Sequence, residues 1–127
     1  MANPHDERMK TAMRRLESAR YLRDGKYYDD AVGRAYYAVY EAAHAALGVS
    51  GIPQPKTHSG LASQFNRHCV LSGRMPQEVA TALGGLEDER SAADYFRAVP
   101  SAEEADEAIR KAENFVNTVR REYFPPM

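Results

Sequence analysis

The sequence has a single cysteine, Cys69, and so cannot close an intramolecular disulfide. It has no apolar run of the roughly 20 residues that a membrane-spanning helix needs. Its opening residues, MANPHDERMK, are polar and charged where a secretory leader is apolar. Together these features point to the reducing cytoplasm and away from a membrane. A cationic surplus is missing as well: a formal net charge of −1 excludes an indiscriminate polyanion binder, which would carry a basic footprint. There is no Gly-rich phosphate loop, no activated-serine turn and no CxxC pair. His68 and Cys69 are adjacent and would diverge on a helix, and His44 and His58 complete no zinc spacing, so neither a metal nor a cofactor is expected. No alternating strand pattern, internal repeat or low-complexity tract is present.

What remains is helical. The 127 residues suffice for one domain, 1–127, with one core, and the punctuation predicts an all-α, up-and-down bundle of about five helices. The first runs from about Pro4 to Arg23, with Met9, Met13, Leu16 and Ala19 on one face, and stops at Gly25. The second runs from about Tyr28 to Leu47, with Ala31, Val32, Ala35, Tyr36, Val39, Ala42, Ala43 and Ala46 as a broad apolar face. Gly48 to Pro55 reads as a loop. Thr57 is the N-cap of a third helix carrying Leu61, Phe65, His68, Cys69 and Leu71, ended by Gly73. A fourth begins at Pro76 and runs to about Tyr95, with Val79, Leu83, Leu86 and Arg90 in register. Gly84 and Gly85 inside it each cost about 1 kcal/mol relative to Ala, which predicts a close backbone contact or a bend there. Ser101 caps a fifth helix whose first turn holds Glu103, Glu104 and Asp106. Charge divides unevenly: residues 1–74 carry 11 Lys and Arg against 7 Asp and Glu, and residues 75–127 carry 6 against 11. Such opposition suits helices that pack together or self-associate as well as it suits an RNA surface.

Three constellations could carry chemistry. Arg34, Tyr37, Glu41 and His44 follow one another at helical spacing and predict a polar stripe on the second helix. That stripe is either a phosphate or nucleotide site, with Glu41 or His44 available for proton transfer, or a hydrogen-bonded ladder that orients helices. Arg90 shares a face with apolar residues, so its charge must be partly buried and must find a partner. Asp94, one turn on, and Glu87, one turn back, are the nearest candidates. Lys56 and His58 flank the predicted Thr57 cap, where unpaired backbone N–H groups and the helix dipole favour an anion.

The segments Ala31-Val32-Gly33-Arg34-Ala35-Tyr36-Tyr37-Ala38-Val39-Tyr40, His58-Ser59-Gly60-Leu61 and Arg90-Ser91-Ala92-Ala93-Asp94-Tyr95 resemble, in the same order, the HEPN domain family of small prokaryotic proteins. The likeness extends from about Leu16 to Val119, and Gly33 departs from it where the family often has serine. The resemblance implies a helical bundle that forms a homodimer. It also implies a partner, a minimal nucleotidyltransferase, in a toxin–antitoxin-like or defence module. Many members are metal-independent ribonucleases whose arginine is followed, after four to six residues, by a histidine. Arg90 matches that arginine, but Tyr95, Phe96 and Arg97 stand where the histidine would be.

Two functions follow as expectations. The first is a nucleotide- or RNA-binding regulatory component that uses Arg34, Tyr37, Glu41, His44, Lys56, His58 and Arg90. The second is a divergent metal-independent ribonuclease in which Arg90 stabilises phosphate while Asp94, Tyr95 or a histidine elsewhere moves the proton. The absent motif histidine favours the first, because a tyrosine of ordinary pKa near 10 is a poor base at neutral pH.

Overall fold

A computed structural model describes residues 4–96 and 98–126, with Phe96 described by its backbone alone. Five α-helices follow one another: α1 Pro4–Asp24, α2 Tyr28–Val49, α3 His58–Phe65, α4 Gln77–Phe96 and α5 Ala102–Tyr123. A π-helical turn, Asn66–Val70, continues α3, and the described residues contain no strand. The fold is all-α, as the sequence pattern requires.

The α2 helix is the centre of the bundle because its composition leaves no other place for it. Ala31, Val32, Ala35, Tyr36, Ala38, Val39 and every residue from Ala42 to Leu47 are buried, so its apolar surface is wider than one neighbour could cover. Its alanines let α1, α4 and α5 approach closely from different sides. The α1 helix reverses into α2 through Gly25 to Tyr27. The left-handed residue of this turn is Lys26 (φ 69°) rather than Gly25, and the Tyr27 N–H closes the turn on the Leu22 carbonyl at 2.8 Å. The buried face of α1 is Met9, Ala12, Leu16 and Ala19, whereas Met13 lies at the rim, 38% exposed. Arg23 to Asp106 and Arg20 to Glu113 (3.2 Å) then zip α1 antiparallel to α5.

At the far end of the core, Phe65 and Phe115 are fully buried with ring centroids 5.1 Å apart, which locks α3 onto α5. Both predicted caps are present. The Thr57 hydroxyl accepts the Gly60 N–H at 2.9 Å, and Ser101 with Glu104 forms a reciprocal capping box.

Three sequence expectations need correction. Gly48 belongs to α2, which runs two residues past Leu47. A Cβ at Gly48 would lie 2.3 Å from the His5 ring, so this glycine serves a close approach of α1 and does not break the helix. The third helix does not continue regularly to Gly73: it widens into the π-turn, where the Leu71 N–H reaches back five residues to the Asn66 carbonyl at 3.0 Å, and Leu71 is left 75% exposed. Gly84 and Gly85 meet nothing within 4 Å of a Cβ, so no close contact within the chain accounts for them.

Candidate functional site

The predicted polar stripe divides into two clusters because α2 is flanked by different neighbours along its length. Toward its C-terminal end, Glu41 accepts from Arg8 Nε at 2.9 Å, and the other arm of Arg8 donates to Gln54 Oε1 at 2.9 Å. His44 is buried and its Nδ1 meets the same Gln54 oxygen, while Gln54 Nε2 donates to the His44 carbonyl at 3.2 Å. Because arginine can only donate, Arg8 identifies that amide atom as oxygen, and His44 must therefore carry its proton on Nδ1. This cluster clips the α2–α3 connection to both long helices.

Burial, with help from Arg8, holds the His44 pKa below its ordinary value of 6.5 despite the opposing Gln54 and Glu41. The linkage sign follows from that depression. Above 6.5 both folded and unfolded chains hold a neutral imidazole, and the contribution is complete. As the pH falls below 6.5 the unfolded chain takes up the proton first, so stability declines. Urea midpoints measured from pH 7.5 to 5.5 are expected to fall more steeply for the wild type than for His44→Asn, and parallel curves would count against the buried neutral imidazole.

The second cluster lies at the middle of α2 against α4 and the start of α3. Arg90, a quarter exposed, is held by Glu87, with Nη2 to Oε2 at 2.9 Å and Nε to Oε2 at 3.3 Å, and by Asp94 at 3.0 Å. Its guanidinium carbon lies 5.0 Å from the Tyr36 ring centroid and 5.8 Å from that of Tyr37, close enough for both rings to share its charge. Glu87 also accepts from the Ser91 hydroxyl at 3.2 Å. Burial alone would raise the Glu87 carboxyl, but the hydrogen bonds and charge of Arg90 outweigh it and hold the group below the ordinary carboxylate value.

His58 reaches this cluster from α3. The Thr57 cap fixes the start of that helix, and a side chain at Gly60 would crowd the capping hydroxyl at 2.9 Å, which explains the glycine in His58-Ser59-Gly60-Leu61. His58 Nδ1 lies 2.8 Å from the Tyr36 hydroxyl. Burial pushes the Tyr36 phenol well above its ordinary pKa and the Glu87 charge adds to this, so the phenol stays protonated at neutral pH. Whether that hydroxyl donates to His58 or accepts from it is set by the imidazole tautomer. Tyr36 and Glu87 were not singled out as a pair from sequence. The available signal was the i, i+3 and i, i+4 spacing of Glu87 to Arg90 and Ser91.

Arg34 and Tyr37 remain exposed and line, with Arg90 and Asp94, an open groove of about 460 Å³ between α2 and α4. Asp29 and Asp30 line it as well. Glu41 and His44 belong to the other cluster, and Lys56 is exposed beside the Thr57 cap. Among the described residues no three His, Cys, Asp or Glu side chains group as a metal site, and no helix is long and apolar enough to cross a membrane.

The model of the HEPN domain matches residues 5–122. The chain belongs to the HEPN domain family. Among relatives of this HEPN chain, a protein of Methanocaldococcus jannaschii named "Putative toxin" is 34% identical over 106 residues, covering 84% of this chain and 78% of that protein. A UPF0332 protein of Gloeobacter violaceus is 32% identical over 114 residues, 90% of each chain. A UPF0332 protein of Thermotoga maritima is 32% identical over 107 residues, 84% of this chain and 80% of that one. Of the three positions where the family histidine would fall, Tyr95 is 85% exposed on the last turns of α4, while Arg97 and the Phe96 side chain lie outside the described residues. The imidazole joined to the Arg90 cluster is instead that of His58, across the helix interface.

Proposed function

We propose that this HEPN protein is the toxin-like component of a two-gene module with a nucleotidyltransferase partner. It acts in the cytoplasm as a homodimer and binds the phosphate of a nucleotide or an RNA strand between α2 and α4. The observation that carries the reading is the meeting of Arg34 and Arg90 on one groove around the exposed Tyr37. The toxin name of the Methanocaldococcus jannaschii relative supports the toxin-like role. Arg90 is already paired, so a phosphate must displace a carboxylate. Asp94 is the one to leave, because its side chain is 64% exposed and such a pair is worth at most about 1 kcal/mol, whereas Glu87 is held by Arg90 and Ser91 together. Calorimetric titration with adenosine monophosphate and with a short RNA is expected to give saturable binding that weakens at least tenfold in Arg90→Ala. Undiminished binding by the variant, or none by the wild type, refutes the assignment.

The second reading, a metal-independent ribonuclease, gains one observation: the Tyr36 to His58 contact beside Arg90 supplies an imidazole that the α4 motif lacks. Strand cleavage needs a base for the 2′-hydroxyl, an acid for the leaving oxygen and a cation for developing phosphate charge. In the resting arrangement His58 Nδ1 and the Arg90 donors are already engaged, so little cleavage is expected from the purified protein. Cleavage in EDTA that disappears in both Arg90→Ala and His58→Ala would establish the second reading in place of the first.

A further inference from the structure

The Arg90 groove does not end at Arg34. A second open groove, of about 450 Å³, runs over α1 beside Tyr21, Leu22 and Ser18, and it shares Leu22 and Arg34 with the first. Along the combined path, ring and cation alternate in the order Tyr21, Arg34, Tyr37, Arg90. Tyr21 is 79% exposed and Tyr37 41% exposed, so each leaves ring surface open to the groove. No carboxylate of the described residues lies within ion-pair distance of Arg34, so its charge is uncommitted although Asp30 is one turn away.

From this alternation we infer that the two grooves form one track for a single-stranded oligonucleotide, with Tyr21 as a second base-stacking subsite beyond the phosphate position at Arg90. A single strand presents bases and phosphates in turn, and exposed aromatic rings interleaved with cations are its complement. The inference rests on the phosphate reading above, and the carboxylates of the track sharpen it. Glu17, Asp29, Asp30 and Asp94 line the same path as the two arginines. Such a surface repels the dense charge of a duplex, so affinity must come from stacking, which a duplex cannot offer from its interior bases. Two phosphate contacts at about −0.7 each give a salt slope of only about −1.4.

The test is fluorescence anisotropy with a labelled 2′-fluoro hexaadenylate, which lacks the hydroxyl a cleaving site would need, beside adenosine monophosphate and a duplex of equal length. The hexamer is expected to bind about tenfold or more tightly than the mononucleotide and the duplex. Tyr21→Ala should cost the hexamer about tenfold and leave the mononucleotide unchanged, while Tyr21→Phe, which keeps the ring, restores the hexamer. A hexamer no tighter than a mononucleotide that still depends on Arg90 removes the track and leaves the phosphate site standing. Absence of binding by both removes the phosphate site and the track together. If Tyr21→Ala alters the sedimentation of the protein rather than its affinity, the ring belongs to a contact with a second copy and the track is refuted.

Discussion

Phe115→Ala is expected to destabilise the protein by about 3–5 kcal/mol, the range for truncating a fully buried aromatic ring. Phe115 is 0% exposed and stacks against Phe65, so its removal opens a cavity between α5 and α3 that helices pinned by their other contacts cannot fully close. A domain of ordinary stability, about 5–15 kcal/mol, would lose a large part of it. Urea denaturation measures the effect, and Phe115→Leu, which keeps most of the volume, should cost less than about 1.5 kcal/mol. The consequence reaches the site, because α3 carries His58 and is held down by Phe65. Phe115→Ala should therefore loosen the contact of His58 with Tyr36 as well as lower stability. A loss below about 1 kcal/mol would mean that the ring does not fill the core as described.

Arg90→Ala should have two separable effects. In the absence of ligand it deprives Glu87 of its cation while that carboxylate is only 20% exposed, and it removes the charge over the Tyr36 and Tyr37 rings. Charge-assisted hydrogen bonds contribute about 1.5–3 kcal/mol, and the exposure of the Asp94 arm discounts this, so the basal loss is about 1–2 kcal/mol. With ligand at 100 times its Kd, the wild-type protein gains about 2.7 kcal/mol by mass action, worth roughly 10 °C in Tm for a chain of this size. At the same ligand concentration Arg90→Ala, weakened tenfold or more, should keep no more than about 1.4 kcal/mol of that gain. Arg90→Lys keeps the charge but not the planar fork, and should retain only part of it. An Arg90→Ala variant whose melting temperature rises with ligand as far as that of the wild type would place the phosphate elsewhere.

The helices and much of their burial were legible in the sequence because local rules determine them. The apolar spacing of α2 from Ala31 to Ala46, the caps at Thr57 and Ser101 and the stops near Gly25 and Pro125 all act within a few residues. The partial burial of Arg90 and its pairing with Asp94 were legible for the same reason, since both lie on one face of one helix one turn apart. Gly48 was misread because its reason is distant: the sterics that forbid a side chain there come from His5, on another helix.

The assembly of the site belongs to tertiary structure. Spacing on α2 places Arg34, Tyr37, Glu41 and His44 in one line, but it cannot say which neighbour each will meet. Arg8 and Gln54 draw Glu41 and His44 into one cluster, and the arrival of α4 and α3 gathers Tyr36, His58, Glu87 and Arg90 into another. Sequence periodicity predicts which residues share a helix face, whereas the contacts that join different elements in the two clusters act between residues 10 to 54 positions apart. Packing alone buries the Tyr36 phenol beside His58 and Arg90, and that burial keeps it protonated.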